Sequence, residues 1–324
     1  MISIIIPAHN EEKYLNRTID NFYKKSTGEI EVIVVLNGYD QEVDKRAKVV
    51  RYAKNLGERV AMNTAASVAT GEYLFRIDAH CDITKGWDEM MTSNMSEKKI
   101  LIAVITAINE KWEKIPGHWY GFCKLLPTME EKWLTKKKYD LIEKNMSFTG
   151  CGFMISKKFY DSFGGADESL PSMGAIGPEF ALRGWLEGDG CYTHTGVKIG
   201  HIFGTGAYSD IGVTKARKML EEKYRDRYKE LLKIFPEEET LECKMDSVDD
   251  KKRMVTIDKT VEHTTTSLEG AVLKKVVEHF KYIYEDDGTG PSEKEIEVKY
   301  GPMAHKVGVE VFYPDHNGIL VKVE

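Results

Sequence analysis

Apolar residues fall into short, near-continuous runs, and between them they recur at helical spacing. Ile2–Ile6 is a β-branched run of the kind found in a parallel strand buried on both faces. It ends at Pro7-Ala8-His9-Asn10-Glu11-Glu12, after which Leu15, Ile19 and Phe22 mark one face of a helix. Glu31–Leu36 reads as a second strand, closed by the turn signal Asn37-Gly38. Gln41–Val50 reads as a helical segment leading to a short strand around Val49–Tyr52. Arg59–Ala69 carries Ala61, Ala65 and Val68 at helical spacing, small residues that allow close packing on a sheet. Gly71 stops that helix, and Tyr73–Ile77 is the next strand. This alternation is the βαβ rhythm of a doubly wound, mostly parallel sheet, so an α/β fold is expected.

Residues 84–95 read as a helix and Ile100–Ile105 as a strand. Asn109–Asn145 is rich in lysine and aromatics without a clean period, as an insertion lying over a site would be. Phe148–Ile155 is strand-like, Lys157–Phe163 and Glu179–Glu187 are helical, and Lys198–Phe203 is a last short strand. Thr214–Phe235 reads as one long amphipathic helix. An acidic, polar linker (236–254) then leads to a changed pattern. There Ser267–Tyr284 is predicted as a helix, and Ile296–Tyr300, Val307–Tyr313 and Ile319–Val323 as strands. The expected organisation is a main domain over 1–235 and a small α+β unit over 255–324.

A length of 324 residues suits that division. Charge is balanced, 46 basic against 52 acidic residues, which argues against a general nucleic-acid footprint. Five cysteines without CxxC spacing suggest reduced thiols in a cytoplasmic setting. The N-terminal apolar run is too short for a signal peptide, and no window approaches a membrane span.

The chemistry concentrates where Tyr73–Ile77 gives way to Asp78-Ala79-His80-Cys81. Alternation along an extended chain turns Asp78 and His80 to one side and Ala79 to the other. Ligands of open α/β sheets bind at the carboxyl ends of strands. A carboxylate and an imidazole placed there suggest a divalent cation holding the diphosphate of a nucleotide, hence a nucleotide-sugar enzyme. Pro7, Ala8, Asn10 and Glu11 form the loop after the first strand, where Asn10 with Glu11 and Glu12 also makes good helix-capping chemistry. Arg59, at a helix start, could reach a diphosphate or the base, or remain a solvated helix residue. Glu179 has a helix N-terminal position that the helix dipole alone would explain. His118 and His194 read as surface or acceptor-side residues.

Several motifs occur in order over about 230 residues, and together they resemble GT-A glycosyltransferases of the broad family-2 group. Ser3-Ile4-Ile5-Ile6-Pro7-Ala8-His9-Asn10-Glu11-Glu12 resembles the group's opening strand and loop, and Asn55-Leu56-Gly57, Arg59, Ala61, Asn63, Ala69 and Gly71 its helix pattern. Asp78-Ala79-His80-Cys81 with Gly86-Trp87 is similar to the polypeptide N-acetylgalactosaminyltransferases, where most family-2 enzymes have Asp-x-Asp. Phe153–Tyr160, Gly164-Gly165-Ala166-Asp167-Glu168 and Glu179-Phe180-Ala181-Leu182-Arg183 extend the match.

The resemblance implies a metal-dependent transfer from a nucleotide sugar, with UDP the expected carrier. It places the Ala8 backbone and Glu11 side chain on the nucleoside, Asn37 on the base, and Asp78, His80 and the distal His201 of Gly200-His201-Ile202-Phe203 on the metal. Mixed carboxylate and imidazole ligation suits Mn²⁺ better than Mg²⁺. Family-2 inverting enzymes carry an acidic pair shortly before the stretch matched by 179–183, and the polypeptide transferases carry Trp-Gly-Gly-Glu-Asn there. Here the positions are Ala175-Ile176-Gly177-Pro178, and both signatures are missing. Glu179 is then the leading candidate carboxylate, as catalytic base or as donor-sugar anchor, followed by Asp167 and Glu168, and retention is favoured over inversion.

A sugar-1-phosphate nucleotidyltransferase would need a glycine-rich loop after the first strand, and none is present. A non-catalytic nucleotide-sugar or carbohydrate binder stays open, because a fold does not prove an activity. The acceptor could be a protein, a glycan or a modified nucleobase, in a bacterial or phage-type setting.

Overall fold

Ile2–Ala8 forms strand β1, whose side chains enter two separate cores, Ile4 and Ile6 on one face and Ile5 on the other. Helix α1 (Leu15–Lys25) covers the first face with Leu15, Ile19 and Phe22. Strand β2 (Ile30–Asn37) repeats the division, Val32 and Val34 against Ile33 and Val35, and β3 (Lys48–Tyr52) is an edge strand. Helix α2 (Glu58–Val68) lays Ala61, Ala65 and Ala66 on the second face. Strands β4 (Tyr73–Arg76) and β5 (Cys81–Ile83) and helix α3 (Trp87–Thr92) follow. A strand covered on both faces reads as a continuous apolar run, which is why β1 and β2 were recognisable.

The computed structural model describes residues 1–134, 139–171, 174–204 and 210–235, and the backbone of 253–266, 272–286, 305–314 and 320–323. After α3 come β6 (Lys99–Ile108), β7 (Lys114–Tyr120), β8 (Phe122–Leu125), β9 (Glu131–Leu134), β10 (Ile142–Lys144) and β11 (Phe153–Ser156). They are followed by α4 (Lys157–Ser162), α5 (Ile176–Glu187), β12 (Gly190–His201), α6 (Asp210–Tyr224) and α7 (Tyr228–Ile234). The main sheet has the order β10-β12-β6-β11-β4-β1-β2-β3, with β5 paired to β12 and β7 to β6. β1 runs parallel to β2 and β4, β2 to β3, and β6 to β12, whereas β11 is antiparallel to both its neighbours. The fold class is α/β, with a mixed, mostly parallel sheet.

Two compact units divide the chain, residues 1–238 and 239–324. In the second, β13 (Arg253–Thr266), β14 (Val272–Asp286), β15 (His305–Pro314) and β16 (Leu320–Val323) form an antiparallel meander. The helix expected over Ser267–Tyr284 is therefore β14 where it is described, so the described residues of this unit are all strand. Residues four apart share a face of a strand as well as of a helix, so Val272, Val276 and Phe280 satisfied both periods. The strand expected at Ile296–Tyr300 and the linker before residue 253 lie outside the described residues.

Two further helices are corrected. Residues 41–47 are irregular, because local polar bonds replace the helical ladder. The Gln41 side chain accepts from Glu11 N at 2.9 Å, Asn16 Oδ1 accepts from Asp44 N at 2.7 Å, and Asp44 accepts from Arg46 N at 3.0 Å. The long helix at 214–235 breaks into α6 and α7. The break lets the Tyr228 hydroxyl donate to Leu125 O at 2.6 Å and Arg227 to Leu186 O at 3.1 Å.

Candidate active site

Three side chains from distant parts of the sequence meet at the carboxyl edge of the sheet. Asp78 lies just past β4, His80 just before β5, and His201 at the end of β12. Antiparallel pairing of β5 with β12 sets Cys81 opposite His201, and Ile202 N donates to His80 O at 3.2 Å. Thr18 of α1 clamps the turn between Asp78 and His80, donating to Ala79 O at 2.8 Å and accepting from Cys81 N at 3.0 Å. Ala79, buried in the core, is the residue that points away.

The polar atoms converge. His201 Nε2 lies 3.0 Å from Asp78 Oδ2 and 3.2 Å from His80 Nε2. One ligand atom each from Asp78, His80 and His201 falls within 4.8 Å of the others. Both carboxylate oxygens of Glu11 stand 3.2 Å from His80 Nδ1. A proton held on Nδ1 by that carboxylate leaves the Nε2 lone pair directed at the cluster, the carboxylate–histidine relay that supports metal-binding imidazoles. Two imidazole nitrogens and a carboxylate oxygen facing one point fit a divalent cation, with positions left for outer ligands.

Arg76 orients the carboxylate. Its guanidinium donates to Asp78 Oδ1 at 2.7 Å and also pairs with Glu58. Burial opposes the charge on Asp78, but Arg76 and the His201 imidazole hold its carboxyl well below the usual carboxylate range. Burial alone would lower His80, yet the bond to Glu11 and the nearby carboxylates leave its imidazole above its ordinary value. Arg76 and Glu58 escaped the sequence reading. The available signal was a lone arginine inside the apolar run Tyr73–Ile77.

The other candidates separate into those at this edge and those in the framework. Pro7 and Ala8 end β1, and Asn10 adopts a left-handed φ of 57° in the loop that brings Glu11 to His80. The capping role considered for Asn10 is not seen, since α1 begins at Leu15 and has no side-chain cap. Asn37 is buried, and its amide bridges Asn55 Oδ1, Gly57 O and Leu56 N at 2.8–3.0 Å. Its side chain is therefore committed to the loop before α2. His194 is a core residue rather than a surface one, and its Nδ1 accepts from Gly196 N at 3.2 Å. The His118 side chain lies outside the described residues.

Glu179 and Arg59 do not face an open site. Glu179 is fully buried, accepting from Arg59 Nε at 3.0 Å, Asp167 N at 2.7 Å and Arg183 at 3.2 Å. Arg59 also donates from Nη1 to Pro171 O at 2.6 Å and from Nη2 to Gly174 O at 2.9 Å. Together they bolt residues 165–171 and 174–175 to α2 and α5. Asp167 accepts from Ser169 and from Lys223 Nζ at 2.6 Å, while Glu168 accepts from Asn63 at 2.7 Å. Gly177 admits no side chain, because a Cβ there would stand 1.6 Å from Phe148 O.

An aromatic shelf adjoins the cluster. Phe203, about half exposed, packs against His201 at 4.5 Å between ring centroids and against Tyr120 at 5.6 Å. Tyr120 in turn packs against the partly exposed Trp133 at 5.0 Å.

Residues 3–164 match the family described as Glycosyl transferase family 2. Polypeptide N-acetylgalactosaminyltransferase 3 of Taeniopygia guttata is 29% identical over 266 residues, covering 71% of this chain and 43% of the relative. Polypeptide N-acetylgalactosaminyltransferase 13 of Homo sapiens is 23% identical over 271 residues, covering 72% and 48%. The chain thus spans just under half the length of these relatives. A crystal structure of GalNAc-T7 with UDP, GalNAc and Mn²⁺ shares the fold at TM-score 0.59 and 22% identity, over 71% of this chain and 50% of that one. Among the described residues no helix is long and apolar enough to cross a membrane.

Proposed function

The chain belongs to glycosyl transferase family 2, and on that premise we propose that it moves a sugar from a UDP-linked donor to a protein or glycan acceptor, with Asp78, His80 and His201 holding Mn²⁺. The observation that carries this reading is the convergence of Asp78 Oδ2 and two imidazole Nε2 atoms at the sheet edge where nucleotides bind. When bound, the cation would offset charge that builds on the departing diphosphate.

The residues of the chain do the rest. Glu11 fixes the His80 tautomer, and Arg76 turns one Asp78 oxygen toward the imidazoles. The Pro7–Glu11 loop borders the cluster and offers the Ala8 backbone to the nucleoside. Phe203, Tyr120 and Trp133 present an aromatic surface to the acceptor.

We infer retention of anomeric configuration. An inverting enzyme needs a carboxylate free to take the acceptor proton. Glu179 is locked between two arginines, Asp167 is paired with Lys223, and Glu168 accepts from the Asn63 amide. With these three candidates engaged, the leaving diphosphate is the base at hand. Incubation with a panel of nucleotide sugars, reading UDP release and the anomeric configuration of product by NMR, tests the proposal. No turnover with any donor sinks the catalytic reading, and a β-linked product from an α-linked donor ends retention.

A further inference from the structure

Behind the Asp78–His80–His201 cluster lie two buried thiols that this chemistry does not use. Cys81 and Cys151 are both buried and free, with their sulfurs 3.9 Å apart. That is too long for a disulfide, whose sulfurs bond at about 2.05 Å. It matches the edge of a tetrahedral zinc site, where two thiolates at about 2.3 Å from the ion stand roughly 3.8 Å apart. A ring nitrogen of His201 and the two sulfurs all lie within 4.8 Å of one another. His201 Nδ1 is buried and has no hydrogen-bond partner among the described residues, although Nε2 already faces Asp78 and His80.

The fold holds this geometry firmly. The register of β5 against β12 sets Cys81 beside His201, and Thr18 pins Cys81 N at 3.0 Å. Cys151 leads into β11 through Gly152, whose φ of 76° and bond from Gly152 N to Arg76 O fix the turn.

We propose that Cys81, Cys151 and His201 form a second cation site, selective for a thiophilic divalent ion such as Zn²⁺, whose occupation through His201 Nδ1 leaves the imidazole proton on Nε2 and inhibits transfer by denying that lone pair to the catalytic cluster. Soft thiolates select Zn²⁺ over Mn²⁺, so the cysteine-bearing set discriminates between the two ions in a way that a carboxylate and imidazole set does not. Binding releases two thiol protons to solvent. A divalent ion between two thiolates is neutral overall, as a buried site requires. The existence of the site is independent of the transferase reading, but the inhibition rests on it.

Cobalt separates the two. Co²⁺ added to the chelator-stripped full chain should give the near-ultraviolet thiolate-to-cobalt absorption, which Asp78, His80 and His201 cannot produce. The band should be lost in Cys151→Ser and Cys81→Ser, persist in Asp78→Asn, and be bleached by one equivalent of Zn²⁺. If Cys81→Ser fails to fold by circular dichroism, Cys151→Ala takes its place. No band in the folded wild type, or a band unchanged in the cysteine variants, overturns the site. In the Mn²⁺-supported assay, Cys151→Ser should need at least about tenfold more Zn²⁺ for half-inhibition than wild type. Equal inhibition of the two, with the cobalt band intact in wild type, keeps the site and overturns its control of transfer.

Discussion

Replacing Glu179 by Gln should unfold this protein more readily rather than stop its chemistry. The carboxylate is wholly buried and shared by Arg59 and Arg183, with a third bond from Asp167 N. The amide keeps the shape but removes the negative charge paired with two guanidiniums. Removing one partner of a buried ion pair costs about 3–5 kcal/mol, a large part of the roughly 5–15 kcal/mol that holds a domain folded. At about 2–4 °C per kcal/mol for a unit of this size, the melting temperature should fall by about 6–20 °C. Turnover measured well below that transition, per folded molecule, should stay within about tenfold of wild type. A general base would behave oppositely, costing on the order of 10²–10⁴-fold in rate. Differential scanning calorimetry beside steady-state UDP release distinguishes the two. An unchanged melting temperature with a thousandfold loss of turnover would refute the framework role and restore Glu179 as catalyst.

Three other outcomes follow from contacts in the main unit. Glu11→Gln should raise the Mn²⁺ needed for half-maximal UDP binding about tenfold, as lost support of a metal-bound imidazole does; an unchanged Mn²⁺ requirement with weaker UDP binding would return Glu11 to the nucleoside alone. Gly177→Ala should destabilise the fold by about 1–3 kcal/mol or more, because its Cβ would stand 1.6 Å from Phe148 O; a wild-type denaturation midpoint would contradict that close approach. Glu31, held by Lys48, Ser3 and Thr70 against the opposing effect of burial, has its carboxyl lowered from 4.5 to about 2. Its stabilisation is complete above pH 4.5 and lost as pH falls through about 2, so the deficit of Glu31→Gln in urea titrations, at most about 3 kcal/mol at neutral pH, should shrink across that window; a deficit that does not vary with pH would reject it.

The main sheet was legible because strands covered on both faces leave continuous apolar runs, as at Ile2–Ile6 and Glu31–Leu36. Asp78 and His80 were legible because two residues of extended chain separate like-facing side chains at a strand end. What connects them to Arg76, Glu11 and Cys151 was not, since those contacts arise from strand order and from the β5–β12 register. Glu179 and Arg59 misled for the same reason. A charged residue at a helix start reads identically whether it faces a ligand or a buried partner 120 positions away. β14 was misread because its apolar spacing of four satisfies both periods.

The central claim, that Asp78, His80 and His201 hold the cation on which nucleotide binding depends, is tested most directly by calorimetric titration of UDP into the full chain. The titration is run with Mn²⁺, then with chelator, and repeated for His201→Ala. The account predicts Mn²⁺-dependent binding in the wild type, and in the variant a loss of at least about tenfold in the affinity gained from Mn²⁺. UDP binding equally tight in chelator, or a gain from Mn²⁺ that survives loss of His201, would contradict it.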